Sequence, residues 1–241
     1  MKTQCLTMIG ALVLTVDAAG SAVAGVWSPQ TSDELAPTFC PSGGVDGALC
    51  TGRYCDNIQL WCVDPGNSVV VDNSTRGWTD WFSEEDADIT EETCTLFADG
   101  TDTCMVRSGN EGVCGLNSVI SGLACSGSFC DNVALSCAKL QKGFLGSGCQ
   151  WTAWQSEEQG QRTFPAGMLA TAAECSGSFC DNMRFLICPV VSLCVSGPAA
   201  PNGANACVSR ICASDPFCCN NQWDFICVSE VGSICGQACG S

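Results

Sequence analysis

The side chains with the greatest catalytic potential in this sequence are carboxylates that occur in adjacent pairs. Glu84 and Glu85 form one pair, and Glu157 and Glu158 form a second. Two carboxyl groups are sufficient for glycoside hydrolysis, in which one acts as the acid and the other as the nucleophile or base. Both pairs belong to a motif that the chain repeats, whereas a catalytic pair is needed only once. We therefore interpret them as structural and keep a secreted carboxylate-dependent hydrolase as the alternative.

Several other catalytic chemistries lack the residues that they need. The chain contains no histidine, which excludes Ser-His and Cys-His nucleophile pairs and histidine-ligated metals. Beyond residue 24 the only lysines are Lys139 and Lys142, so a Ser-Lys dyad is disfavoured. The net charge of −16 argues against nucleic-acid binding, which needs clustered Lys and Arg. We expect a non-catalytic protein that has no resident cofactor.

An acidic run at 83–92 could attract Ca²⁺, a hard cation that prefers carboxylate oxygens. The spacing does not match an EF-hand loop, so we favour a solvated acidic loop with a turn at Asp99 and Gly100. The candidate calcium ligands are Asp86, Asp88, Asp99 and Asp102.

The cysteine content determines the class of protein. A chain of 241 residues with 23 cysteines is typical of a disulfide scaffold made in an oxidising compartment. Zinc is disfavoured because the chain has neither C-x-x-C pairs nor histidine. Lys2, an apolar run at 6–16 and an A-x-A site predict a signal peptide at 1–24. No other run approaches the ~20 apolar residues of a membrane span, so we expect a secreted or cell-surface protein.

The chain repeats one cysteine motif three times. Cys125-Ser-Gly-Ser-Phe-Cys-Asp-Asn132 returns almost unchanged at 175–182, and a looser copy lies at 50–57. A second motif, W-[ST]-x-x-x-S-[DE]-E, precedes each copy and begins at Trp27, Trp78 and Trp151. We predict three copies of one supersecondary unit.

The interval from the motif tryptophan to the first cysteine of the unit sets the register of the units. Trp27 lies 13 positions before Cys40, and the same interval runs from Trp151 to Phe164. The middle unit is 23 residues longer over this interval, which indicates an insertion at about 91–113. Phe164 therefore stands where the third unit should have its first cysteine. The predicted organisation is a signal peptide at 1–24, repeats at 25–72, 73–141 and 142–192, and a cysteine-rich tail at 193–241.

Within a unit the pattern predicts β-structure. After each Asp-Asn pair, apolar residues alternate as in a half-buried strand. The glycine inside each Cys-x4-Cys segment suits a hairpin tip, where it supplies a positive φ. We expect the following aspartate to bond nearby backbone amides and so to hold the turn. The predicted fold is mainly β, with three tandem disulfide-stapled repeats around a pseudo-threefold axis and a small α-helical tail.

The spacing suggests a disulfide pairing but does not prove it, since four cysteines allow three connectivities. Asn182 to Cys188 is one residue longer than in the other units, so we expect a bulge or a changed partner for Cys188. Cys149 is the favoured partner and Cys194 competes with it. The hypothesised pairs are Cys40–Cys62, Cys50–Cys55, Cys94–Cys104, Cys114–Cys137, Cys125–Cys130, Cys149–Cys188 and Cys175–Cys180.

In the tail, the composition of 197–206 is that of a linker. Two short helices are predicted around the Cys218-Cys219 turn. Asn221 is the predicted cap of the second helix, which ends at Gly236.

The tryptophans offer the sharpest binding hypothesis. Aromatic side chains are commonly core anchors of small β-units, and we prefer that interpretation. Their alternative role is to form platforms on which sugar rings stack. The tip of the first unit also differs from the other two, because it carries Arg53 and Tyr54. The candidate binding residues are thus Trp78, Trp81, Trp151, Trp154, Arg53 and Tyr54.

Two stretches resemble modules of bacterial extracellular proteins. The C-[ST]-G-x-[FY]-C-D-N motif followed by x-x-L-x-C resembles a module of secreted bacterial proteins. The segment from Cys212 to Val231 resembles a cysteine-rich module of extracellular proteins from myxobacteria-like predatory bacteria. The resemblance implies a secreted or surface location and implies no catalytic residues.

These observations favour a non-catalytic secreted or cell-surface binding or structural protein, with a glycan as the preferred ligand and no membrane span. A surface protein is a second possible partner. The alternatives are the hydrolase and a disulfide-rich inhibitor or effector. An inhibitor would present the loops 51–54, 126–129 and 176–179 as its tips.

Overall fold

The computed structural model describes residues 24–97 and 102–239. The predicted signal peptide lies almost wholly outside the described residues, as does Asp99. The described chain is mainly β, as the sequence predicts, and it has three short helices near the C-terminus where two were predicted. Within the described residues, no helix has the length and apolar character needed to cross a membrane.

The strands of unit 1 are β1 (Val26–Trp27), β2 (Thr38–Phe39), β3 (Gly44–Thr51) and β4 (Asn57–Val63). Unit 2 contains β5 (Val70–Trp78), β6 (Phe82–Ser83), β7 (Thr90–Phe97), β8 (Asp102–Ser108), β9 (Glu111–Val113), β10 (Ser118–Ser126) and β11 (Asn132–Gln141). Unit 3 contains β12 (Gly143–Leu145), β13 (Gln150–Trp151), β14 (Arg162–Thr163), β15 (Met168–Ser176) and β16 (Asn182–Ser192). The tail contains β17 (Gly197–Pro198), β18 (Gln222–Trp223), α1 (Ala206–Ser214), α2 (Phe217–Asn220) and α3 (Phe225–Cys235).

The centre of each unit is an antiparallel hairpin, formed by β3–β4, β10–β11 and β15–β16. A short 3-10 turn joins the two strands of each hairpin, at Arg53–Cys55, Ser128–Cys130 and Ser178–Cys180. The alternation that follows each Asp-Asn pair becomes a strand with a buried face, as Ile58, Leu60 and Cys62 illustrate. The inner faces of all three hairpins form one core cluster, so no unit has a core of its own.

Short strands exchanged between units close these hairpins into a ring. β2 of unit 1 pairs with β10 of unit 2, β9 of unit 2 pairs with β15 of unit 3, and β14 of unit 3 pairs with β3 of unit 1. This cyclic order gives the molecule its pseudo-threefold symmetry.

One backbone hydrogen bond marks the same point in each exchange. The amide of Cys40 donates to the Ser121 carbonyl, that of Cys114 to Thr171, and that of Phe164 to Asp46, each at 2.8 Å. Phe164 therefore occupies the backbone position of the missing cysteine.

Six disulfides agree with the pairing hypothesised from the spacing. They are Cys40–Cys62, Cys50–Cys55, Cys114–Cys137, Cys125–Cys130, Cys149–Cys188 and Cys175–Cys180. Cys94 and Cys104 stand opposite each other in the β7–β8 register, and Cys104 is disulfide-bonded.

The extra residue before Cys188 produces no additional bulge. Ile187 pairs with Ala170 in unit 3, as Cys137 pairs with Ile120 in unit 2, so the register of the hairpin is unchanged. Cys188 is the next residue and faces the opposite side of the strand, because side chains alternate along a strand. Of the two expected outcomes, the structure therefore has the changed partner, Cys149.

The tail packs against unit 3 around a fully buried tryptophan. The Nε1 of Trp223 donates to the Leu193 carbonyl at 3.0 Å, and its ring contacts Phe144 at a centroid distance of 5.6 Å. Four disulfides staple the tail: Cys194–Cys239, Cys207–Cys235, Cys212–Cys219 and Cys218–Cys227.

Two expectations about the tail are wrong. The stretch 197–206 is not a free linker, because β17 pairs with β18 and Asn205 caps α1 through the Val208 amide. The cap of α3 is Asp224 and not Asn221, since its carboxylate accepts from the amides of the first turn. The Cys-Cys turn is itself the short helix α2.

The equivalence of Phe164 with the first cysteine of the other units can be tested by restoring the missing bridge. We expect Phe164→Cys combined with Ile187→Cys to form a disulfide, because the equivalent pairs have Cα atoms 5.4 Å apart, within the range that a disulfide spans. Peptide mapping without reduction should find the new bridge and leave Cys149–Cys188 intact. Each single variant is the control, and two alkylatable thiols in the folded double variant would contradict the equivalence.

Candidate functional site

The first residue of the tryptophan motif occupies the same place in each unit. In the strand registers, Trp27 lies opposite Trp61, Trp78 opposite Ser136 and Trp151 opposite Leu186. All three tryptophans thus flank the second strand of a central hairpin.

The rest of the motif fastens this flanking segment to the hairpin. The Ser or Thr that follows each tryptophan makes two hydrogen bonds to one residue of the hairpin. Its hydroxyl accepts from the amide of that hairpin residue, and its own amide donates to the carbonyl of that hairpin residue. The pairs are Ser28 with Leu60, Thr79 with Leu135 and Thr152 with Phe185. In unit 2 the motif serine, Ser83, then caps a 3-10 turn by accepting from the Glu85 amide. The motif therefore repeats for structural reasons.

The tryptophan pairs are not core anchors, which corrects our preferred interpretation. In unit 2, Trp78 is 38% exposed and Trp81 is 49% exposed. In unit 3, Trp151 and Trp154 are half-buried, and the Arg184 guanidinium lies over both rings, at 4.9 and 4.5 Å from their centroids. Two copies of one motif thus present different aromatic surfaces.

Arg184 is held over the third-unit rings by an ion pair with Glu174. Unit 2 has Ala124 and Ala134 at the corresponding register positions instead of this charged pair. Unit 1 has Gln30 in place of the second tryptophan, and its Trp27 contacts Trp61. The pair in unit 2 is consequently the open one, which we call the open tryptophan face.

The three hairpin tips converge on the pseudo-threefold axis. Tyr54, Phe129 and Phe179 form a triangle of rings with centroid distances of 5.2 to 5.4 Å. Each tip also touches its neighbour through the backbone: the Sγ of Cys55 lies 3.0 Å from the Asp181 carbonyl oxygen, with equivalent contacts at the other two tips. We call this cluster the apex.

The loops 51–54, 126–129 and 176–179 therefore meet at one place in the fold. The apex offers one surface, on which Arg53 is exposed and Tyr54 is half-buried. The Arg53 guanidinium lies 4.8 Å from the Tyr54 ring centroid and 5.7 Å from that of Phe129. Arg53 and Tyr54 therefore cover a packed cluster.

The Asp-Asn pairs brace the tips, although not through the backbone amides that we expected. In each pair the asparagine side chain donates to the aspartate carboxylate, as Asn132 does to Asp131 at 2.7 Å and Asn182 to Asp181 at 2.5 Å. Burial raises the pKa of Asp181, and the hydrogen bond from Asn182 opposes that rise. A Cβ on Gly127 would meet the Asp131 carboxylate at 1.8 Å, which explains the glycine in the motif.

The repeated glutamates differ in what they contact. Glu84 accepts a hydrogen bond from the Phe179 amide at 2.6 Å and so fastens unit 2 to the tip of unit 3. Glu85 and Glu158 are exposed, and Glu157 is half-buried. The bond to the backbone gives Glu84 a structural role.

The described residues contain two groups whose acidic and cysteine atoms lie close enough to share a metal ion. They are Glu84 with Cys175 and Cys180, and Asp215 with Cys218 and Glu230. Every cysteine in them is disulfide-bonded, and a thiolate is needed for ligation. Asp86 is half-buried and Asp88 is exposed in the acidic run, where calcium binding stays a prediction.

Sequence reasoning overlooked two residues. Arg184 covers the tryptophans of unit 3, and Asp46 lies at the hairpin position that Ser121 and Thr171 occupy in the other units. Aligning the first hairpin strands would have revealed Asp46 as a lone carboxylate at a hydroxyl position. Aligning the second hairpin strands would likewise have revealed Arg184 as a charged residue where the other units have Gln59 and Ala134, although its contacts with the two tryptophans depend on the fold.

Comparison with known proteins adds information on the tail alone. A family model described as a domain of unknown function, DUF8252, matches residues 188–239. No curated protein and no solved structure matches the chain. The match therefore covers the tail and the end of β16.

The role of Glu84 can be measured against its counterpart in unit 3. We expect Glu84→Ala to lower the free energy of unfolding by about 1–2 kcal/mol, because it removes a hydrogen bond between a carboxylate and a backbone amide. Guanidinium unfolding with the disulfides intact would measure the change. Glu157→Ala, at the same place in the motif, should lower the free energy of unfolding less. Equal losses in the two variants would show that the hydrogen bond between Glu84 and the Phe179 amide does not stabilise the fold.

Proposed function

We propose that this protein is a non-catalytic secreted or cell-surface binding protein that holds a glycan against the open tryptophan face, formed by Trp78 and Trp81. The observation that carries the proposal is the exposure of both indoles, at 38% and 49%, beside a hairpin that fixes their backbone. Large apolar side chains exposed together on a soluble protein often indicate an interaction surface.

Indole rings suit the chemistry of sugars. The face of an aromatic ring carries partial negative charge, and the C–H groups on one face of a pyranose carry partial positive charge. Stacking buries those C–H groups while the hydroxyls at the sugar's edge remain available for hydrogen bonds. Asp80, which is exposed and lies between the two tryptophans in the sequence, supplies an acceptor for such hydroxyls.

The open tryptophan face is also held in place before any ligand arrives. Trp78 lies in β5 and contacts Phe39 edge-on at a centroid distance of 5.6 Å. Thr79 binds Leu135 by both its amide and its hydroxyl, and Phe82 is buried, so Trp81 lies in a short loop anchored at both ends. A preorganised surface loses little conformational entropy on binding.

Unit 3 supplies the reason for assigning the ligand to unit 2. The faces of Trp151 and Trp154 carry the Arg184 guanidinium, so a sugar would have to displace a cation that is already paired with Glu174.

The secreted location is supported by the disulfide content and by the resemblance of the tail to modules of extracellular bacterial proteins. Glycan arrays displaying bacterial and host polysaccharides are the appropriate screen.

The proposal predicts a difference between two equivalent substitutions. Trp81→Ala should weaken glycan binding at least tenfold, because it removes half of the exposed platform, whereas Trp154→Ala at the same motif position should leave binding within about twofold. A glycan array followed by calorimetry with the best ligand would measure both. Circular dichroism and unfolding should show that both variants keep the fold.

Two results would contradict the proposal. One is binding retained by Trp81→Ala, and the other is binding lost equally in both variants. Turnover of a bound polysaccharide that Glu157→Gln abolishes would instead favour the hydrolase.

A further inference from the structure

A cavity of about 150 Å³ lies at the junction of units 1 and 3, and neither Trp78 nor Trp81 lines it. Its apolar wall includes Trp61, Phe164 and Leu169, and exposed Gln161 and Ala166 lie at its rim. A cavity of this volume accommodates a single six-membered ring. It therefore has the size of a small-ligand site.

A carboxyl group faces into this cavity from a β-bulge. The pairing of β3 with β4 shifts between Val45 and Gly47, so Asp46 is the extra residue of the bulge. Bulges often serve to redirect one side chain. The Oδ1 atom of Asp46 is buried and has no hydrogen-bond partner among the described residues, which is costly for a polar atom.

The same bulge in the other units carries a hydroxyl that the protein itself satisfies. Ser121 accepts a hydrogen bond from the Arg76 Nε at 3.2 Å, and Thr171 donates to the Ser118 carbonyl at 2.9 Å. The backbone is equivalent in all three units, because each bulge residue accepts the exchanged amide described above. Asp46 alone breaks this pattern, so the fold does not require a carboxyl group at this position.

The charges around the cavity favour a cation. Asp46 and the exposed Asp64 line it, and the lining includes neither lysine nor arginine. Arg162 lies on β14, which pairs with β3, but its side chain is not part of the lining. Burial raises the pKa of Asp46 to about 8, which is the effect expected of a carboxyl group that lacks a counter-ion.

We propose that this cavity binds a small organic ammonium ion, namely a primary amine carried on one apolar ring. The ammonium group donates to Asp46 and lies near the aromatic rings of Trp61 and Phe164, which attract cations. The ring fills the apolar part of the cavity beside Leu169. This site is separate from the glycan site and does not depend on it.

Other ligand classes fit the cavity less well. An anion would meet two carboxyl groups and no cation. A purely apolar molecule would leave the Asp46 carboxyl group without a counter-ion. A divalent metal ion needs several oxygen ligands held together, whereas Asp64 is exposed and its Oδ1 accepts from the Gly66 amide.

The experiment compares three probes of the same shape and different charge: benzylamine, benzyl alcohol and benzoate. Calorimetric titration of the full disulfide-bonded protein at pH 8 should show benzylamine binding at least tenfold more tightly than benzyl alcohol, with no binding of benzoate. Asp46→Asn, which keeps the shape and removes the charge, should reduce the affinities for the amine and the alcohol to within about twofold of each other. Asp64→Asn should leave the preference for the amine unchanged.

The Asp46→Asn variant is expected to fold. A carboxyl group whose pKa is raised from 3.8 in the folded state lowers stability progressively as pH rises from about 4 to about 8. Replacing it with a neutral amide removes that loss, so the variant should be at least as stable as the parent protein at pH 8.

The pH dependence provides a second readout. Since the complex contains the carboxylate, binding releases a proton below the raised pKa, and benzylamine affinity should fall about tenfold per pH unit below about pH 8. Equal affinity for benzylamine and benzyl alcohol, an unchanged preference in Asp46→Asn, or no binding of benzylamine at millimolar concentration would each overturn the proposal.

Discussion

An antiparallel hairpin leaves backbone donors and acceptors open along both of its edges, and these groups must be paired if the hairpin is to be buried. In this protein one edge is covered by the unit's own tryptophan segment, and the other is covered by a strand from the neighbouring unit. The exchanged strands are only two or three residues long, yet the residue that follows each of them donates the amide that binds the bulge of the next hairpin. The ring, the shared core and the converging tips all depend on this exchange.

Once the ring is closed, the differences between its units become informative. The backbone contacts that close the ring recur in all three units, and so does the hydroxyl that follows each motif tryptophan. The candidate sites lie where the units differ. Unit 2 leaves its tryptophans open where unit 3 covers them with Arg184, and unit 1 places Asp46 where the others have a hydroxyl.

Local features of the sequence predicted much of the fold. The three units, the alternating strands, the Cys-x4-Cys bridges and the position of Phe164 all follow from intervals along the chain, because strand periodicity and short disulfide loops are local properties. The predicted partner of Cys188 also agrees with the structure, although the underlying reason is that Ile187 keeps the register while Cys188 lies on the opposite face of the strand.

The candidate sites could not be predicted in the same way. The exposure of Trp78 and Trp81 depends on which hairpin face they meet, and the covering of Trp151 and Trp154 depends on Arg184, about 30 residues further along the chain. The apex requires three tips from distant parts of the sequence to meet, and the Asp46 cavity lies between the first and third units. Each of these features results from long-range packing, on which motif spacing carries no information.

The strand exchange also constrains the order of assembly during folding. β14, which completes the hairpin of unit 1, lies more than a hundred residues further along the chain than β3. Unit 1 can form its own Cys40–Cys62 disulfide early. One edge of its hairpin, however, stays uncovered until β14 of unit 3 pairs with β3. The Cys40–Cys62 disulfide thus keeps β3 and β4 in register before β14 pairs with the open edge of β3.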